Sequence, residues 1–191
     1  MHLADLSVDF PAVTERRKSL PDQTAGITLA DIRTMTGELY DQLDATTAGL
    51  TDEQVRFIAE DPDQDEEPGW NVAHVILHVT ASAEEGMALG STLARGVEFT
   101  GRSRYEPDWE TVTTAKQVAQ RLAESRRIAL AFLETWPNEP YLDNAYEHNY
   151  FGPMNAVAHA SLGLAHGKGM IPQVEEIVRQ AKAANSDALR A

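Results

Sequence analysis

Cysteine is absent from the 191 residues. That excludes disulfides, cysteine nucleophiles and thiolate metal sites. A transition-metal site would have to use His, Asp, Glu or Met. The absence also fits a cytoplasmic location. Basic residues are scarce, with 16 Lys and Arg against 30 Asp and Glu and a net charge of −14. A phosphate-binding surface or a polybasic membrane anchor needs clustered positive charge, so neither nucleic acid nor membrane is expected as a partner. No apolar run approaches the ~20 residues of a membrane span. The first twenty residues, MHLADLSVDFPAVTERRKSL, lack the continuous apolar stretch of a signal peptide. Strand signals are almost missing, with no alternating Val/Ile/Thr/Tyr runs bounded by Asn-Gly turns.

Hydrophobic residues make up 42% of the chain, enough for one domain with a real core. Helical spacing recurs four times. The first helix is expected at about 28–47, with Thr28 and Asp31 at its start and Leu29, Ile32, Met35, Leu39 and Leu43 as its apolar stripe. A short helical piece follows in TDEQVRFIAE, with Thr51 as its cap. Residues 60–69, EDPDQDEEPG, hold six acids and two prolines. They read as a solvated loop, with an acidic docking patch or cation site as the alternative. The second helix starts near Trp70, after Pro68-Gly69, and runs into the nineties. Residues 100–112 read as a loop. The third helix spans about 114–135 and stops at Trp136-Pro137. A loop carrying Tyr141, Tyr146, His148 and Tyr150 leads to Pro153, where the fourth helix begins; it reaches the mid-180s. Pro172, with glycines at 163, 167 and 169, predicts a kink or brief unwinding near residues 168–170, for close packing or for space beside His166. The fold class is all-α, a four-helix bundle over 28–191 preceded by an N-terminal arm over 1–27. The arm is either packed on the bundle or partly loose, and His2 is expected to be disordered.

The stretch GWNVAHVILH, residues 69–78, carries His74 and His78 one turn apart in an apolar run. At 100° per residue, Trp70, His74, His78, Ala81 and Glu85 share one sector of the second helix. Val72, Ile76, Val79 and Ala83 lie roughly opposite, so this helix touches more than one neighbour. On the fourth helix Asn155, His159, Leu162, His166, Met170, Gln173 and Ile177 share a face. Polar groups on an inward face are costly unless partnered. The partners are each other, a metal, or water in a pocket. His74 and His78 are close enough to converge on one ion. His159 and His166 are seven apart, roughly 10 Å along the axis. One site could therefore hold His78 and His166 with a neighbour from position 74 or 170, leaving His159 outside. Each histidine also has a plainer reading as a hydrogen-bonded core residue. His148, in a loop among tyrosines, reads as surface or pocket wall.

At this point the chain resembles the DinB-like family of four-helix bundles, which includes metalloenzymes and thiol-dependent transferases. The resemblance runs from about residue 28 to 180. GLTDEQVRF resembles the link after the family's first helix. WNVAHVILH resembles the family's Trp at a helix start with a metal-binding His eight residues on, which falls on Trp70 and His78. GLAHGKGMIPQVEEI resembles a final-helix motif of His, a second His four on, and Gln three further, which falls on His166, Met170 and Gln173. Here the second histidine of that motif is Met170, a weak, soft donor for zinc or nickel. His74 could fill the gap, or Glu85 directly or through water, or the site has lost its catalytic metal.

Two functions follow as expectations. In the first, the resemblance implies a metal-dependent enzyme, a thiol-dependent transferase or a hydrolase. A divalent metal, zinc or nickel, would be held by His78, His166 and His74 in a cleft between the second and fourth helices, with an open position. Any thiol would be an external low-molecular-weight one. Met170, Gln173, Glu85, His159 and His148 would surround the ligands or the pocket, with Tyr146 and Tyr150 at its mouth. In the second, the bundle is non-catalytic, with a degenerate metal site, and binds a small molecule or serves as a dimeric stress-associated protein. The substrate is unspecified, and a homodimer is expected in either case. DNA repair is disfavoured by the absence of a basic stripe.

Overall fold

The computed structural model describes residues 1–60, 70–99, 101 and 104–188, without the side chains of 185–188. The acidic stretch expected as a loop lies, apart from Glu60, outside the described residues. So do residues 100, 102 and 103 of the expected loop at 100–112.

Seven helices are described. Two short ones, α1 (Phe10–Thr14) and α2 (Leu20–Gln23), lead to the first long helix, α3 (Leu29–Thr47). After α4 (Asp52–Arg56) come the long helices α5 (Val72–Ala94), α6 (Ala115–Glu134) and α7 (Ala156–Ala188). The chain is thus all-α in class. The long helices form a ring, with α5 packed on α6 and α7, and α3 packed on the same two from the other side. The core lies between them and includes Ile32, Leu39, Leu43, Ile76, Val79, Leu122, Leu133 and Leu164, all fully buried.

The starts of these helices are written locally. Thr28 and Asp31 form a reciprocal capping box on α3, as Thr51 and Gln54 do on α4 and Thr114 and Gln117 on α6. Such a pair satisfies two backbone donors that the helix itself cannot. Asn71 Oδ1 accepts from the His74 amide at 2.9 Å and starts α5. Asn155 Oδ1 accepts from the Ala158 amide at 3.0 Å and starts α7.

Four expectations are corrected. The chain is not without strands: β1 (Ala145–His148) and β2 (Gly152–Asn155) pair antiparallel, with Tyr146 opposite Met154 and His148 opposite Gly152. Each strand is too short to show a two-residue period above the background of a loop. Gly152, at φ 75°, supplies a turn conformation that other residues adopt only with strain. Because β2 takes up Pro153, α7 starts at Ala156 rather than at the proline. Of the kink or unwinding expected near 168–170, the unwinding does not occur, since helical structure is continuous through Pro172. Finally, His2 is held: its Nδ1 lies 2.5 Å from Glu38 Oε1, and Leu3 donates its amide to Glu38 Oε2 at 2.6 Å.

The residues before α3 pack onto the bundle. Leu3, Leu6, Ala12, Val13 and Leu20 are buried. Lys168 on α7 donates its ammonium to the carbonyls of Ala4 and Leu6 at 2.7 and 2.8 Å. Phe10 meets Phe151 with ring centroids 6.2 Å apart.

Candidate functional site: a histidine-lined cavity between α5 and α7

The site begins with a seam of small residues. A Cβ added at Gly86 would come within 2.8 Å of the His159 carbonyl oxygen, one at Gly90 within 2.9 Å of the Ala156 oxygen, and one at Gly163 within 2.9 Å of the Ser82 oxygen. All three distances are shorter than a Cβ tolerates, so the two backbones touch because these positions carry no side chain. Gly167 serves the other flank, against Leu39. At Gly169 nothing lies within 4 Å, so only part of the glycine cluster is explained by close packing.

Beside the seam lies a cavity of about 460 Å³. That is within the ~300–1,000 Å³ range of small-molecule sites. α5 contributes His78, Ser82, Glu85 and Leu89 to its wall, and α7 contributes His159, Leu162 and His166. Tyr146, His148 and Met154 come from the hairpin and Phe151 from its turn, while Phe10 comes from α1. The wall therefore combines apolar side chains with the imidazoles of His78, His148, His159 and His166.

His78 and His166 face each other across the two helices, with ring centroids 5.0 Å apart and planes at 63°. Arg104, from the loop after α5, reaches the same place. Its Nη2 lies 3.0 Å from His78 Nδ1 and its Nη1 donates to Ser82 Oγ at 2.6 Å. Glu106 holds the guanidinium from behind, accepting from Nε at 3.0 Å and from Nη2 at 2.5 Å. Burial pushes the Glu106 carboxyl up, but the Arg104 hydrogen bond and charge, helped by His78, outweigh it and leave it below the ordinary value.

His159 is buried, 3% exposed, and its Nε2 has no hydrogen-bond partner among the described residues. It neighbours the rings of Phe99 at 5.8 Å and Tyr146 at 6.1 Å. Burial pushes its pKa down to about 4; the charge of His148 adds to this and Glu85 opposes it. It is therefore neutral near pH 7. His148 Nδ1 accepts from the backbone amides of Tyr150 and Phe151 at 3.1 and 3.3 Å.

Of the residues singled out from sequence, His78, His166, Glu85, His159, His148 and Tyr146 meet at this cavity. His74 does not line it. Its ring is sandwiched between two indoles, 4.1 Å from Trp70 and 4.8 Å from Trp109. Met170 packs with the apolar core, and Gln173 is buried away from the cavity wall. Tyr150 is 73% exposed. Arg104 and Glu106 were not anticipated. They sit in a stretch without periodicity, and the only available signal was an Arg-Tyr-Glu triplet shortly after a helix carrying buried polar groups.

The family's metal can be tested against these residues. Two imidazoles approach each other across the cleft. The third position is a methionine in the core, and the alternative histidine is stacked between tryptophans. A guanidinium, always cationic, already occupies the Nδ1 side of His78. Among the described residues no group of three or more His, Asp or Glu side chains is arranged to hold a metal ion. The described residues do not fit a three-ligand metal centre.

A sequence profile of the DinB superfamily matches residues 35–168. The chain belongs to the DinB superfamily. No curated protein and no solved structure matches it. Among the described residues no helix is long and apolar enough to cross a membrane.

Proposed function

We propose that this DinB superfamily member binds a small organic molecule in the cleft between α5 and α7, and that it does so without a resident three-histidine metal. The observation that carries the reading is the cavity itself: about 460 Å³, lined by apolar side chains together with His78, Ser82, His159 and His166 from two helices. Large, mostly apolar pockets with a few convergent polar groups are the usual form of a ligand site. Arg104 on His78 Nδ1 supports the same reading, because it takes up one of the two ring nitrogens that a metal could use.

The test has two parts. A fragment screen by thermal shift should return compounds that stabilise the wild-type chain and leave the cavity-filling variant Leu162→Trp unmoved, since a ligand binding only the folded state raises its melting temperature. Elemental mass spectrometry on protein purified without a histidine tag should find zinc and nickel well below one per chain. One metal per chain, lost in both His78→Ala and His166→Ala, would overturn the metal-free part of the proposal.

A second reading is favoured by one observation, the approach of His78 and His166 to 5.0 Å between ring centroids. In that reading the pair would supply two ligands to a divalent ion, zinc or nickel, for a transferase or hydrolase using an external thiol. The third ligand would have to come from outside the set of Met170 and His74.

A further inference from the structure

The charged groups at the cavity wall are already engaged. Arg104 directs Nε and Nη2 to Glu106 and its other contacts to Ser82 and His78. Glu85 is engaged as well. An anionic ligand would have to displace Glu106 from Arg104. A cationic one would meet the guanidinium of Arg104.

His159 is different. It is almost completely buried, it lines the cavity, and its Nε2 has no partner among the described residues. A buried polar atom of this kind is rarely left unsatisfied without a reason. Burial keeps the ring neutral, with a pKa of about 4, so it offers one donor and one acceptor and no charge. Phe10, Leu89, Phe151, Met154 and Leu162 supply the apolar part of the wall.

We infer that the cavity takes an uncharged molecule with an apolar, ring-containing body and one neutral hydrogen-bonding group, a hydroxyl or amide, seated on His159. The inference rests on the small-molecule reading above. It adds the ligand's charge class and names His159 as the residue that recognises it.

Four probes share one body and differ at the head: 3-phenylpropan-1-ol, 3-phenylpropionate, 3-phenylpropylamine and propylbenzene. Their affinities for the full chain are measured by ligand-observed NMR at pH 7. The alcohol is expected to bind about tenfold tighter than the carboxylate and the amine, as one well-made buried hydrogen bond allows. His159→Phe, which keeps a ring and removes both nitrogens, should reduce the alcohol to the level of propylbenzene. His159→Asn should keep part of the preference. The ¹⁵N resonance of His159 Nε2 should move on adding alcohol and stay put with propylbenzene, a readout that needs no variant to fold. Preference for a charged head, or an alcohol preference that survives His159→Phe, would overturn the charge class and leave the small-molecule reading standing. Failure of all four to bind would overturn both.

Discussion

Nη2 of Arg104 lies 3.0 Å from Nδ1 of His78, so a loop residue reaches the ring of a helix imidazole. A guanidinium only donates. A neutral His78 is therefore expected to accept at Nδ1 and to carry its hydrogen on Nε2. Glu106 Oε1 lies 3.4 Å from the same Nδ1 and is the next acceptor in reach. In Arg104→Gln the proton is expected to move toward Nδ1, facing Glu106. Long-range ¹H–¹⁵N correlation on the His78 ring distinguishes the tautomers. An unchanged pattern would mean that Arg104 does not set it.

The approach of α5 and α7 depends on missing side chains. Gly163→Ala would bring a Cβ within 2.9 Å of the Ser82 carbonyl oxygen, a backbone atom that cannot swing aside. Overpacking of this kind costs about 1–3 kcal/mol, or roughly 2–4 °C of melting temperature per kcal/mol in a chain of this size. Gly169→Ala, on the same helix with nothing within 4 Å, is expected to be neutral or to stabilise by about 0.5–1 kcal/mol. Thermal unfolding followed by circular dichroism separates the two.

His159 predicts a pH dependence of stability. Its folded pKa is about 4, below the ordinary value of 6.5. Between these values the unfolded chain binds more protons, so stability falls as pH falls from about 6.5 to 4. The group can contribute up to about 3 kcal/mol across that window, at about 1.4 kcal/mol per unit. His148 and Glu85 face it with opposite effects, and His2, raised by Glu38, acts with the opposite sign. The comparison is therefore wild type against His159→Phe, by urea unfolding at pH 4.5, 5.5 and 6.5. The gap between them should shift in favour of the variant as pH falls; a constant gap would refute the assignment.

Tyr40, fully buried on α3, meets Ser125 of α6 at 2.7 Å between oxygens. Burial raises the phenol's pKa well above its ordinary value, with Ser125 opposing. Tyr40→Phe leaves the serine hydroxyl unsatisfied and should cost about 1–3 kcal/mol. Adding Ser125→Ala should return part of it, because both polar partners are then gone. A double-mutant cycle in urea measures the coupling, and additive losses would argue against a shared hydrogen bond.

Several features of this molecule are legible in its sequence. The four long helices follow from apolar periodicity and from Thr28, Thr114 and Trp136-Pro137, signals that act within one or two turns of the chain. The pairing of His78 with His166 was also legible, because each sits on an inward face of its own helix and 100° per residue fixes that face. The all-α class and the family resemblance depend on the same local patterns.

Other features depended on distant parts of the chain. β1 and β2 are four residues each, and neither is recognisable until the other lies beside it. His74 shares a helical sector with His78, yet Trp109, thirty-five residues further on, stacks against it and separates their surroundings. Arg104 and Glu106 come from a stretch without periodicity, and their place at His78 is set by how that stretch folds back over α5. Met170 shares a face with His166 by spacing, but the core surrounds it. Helical periodicity says which way a side chain leaves its own helix. Only the packing of other elements against that face decides whether it meets a cavity, an indole or the core.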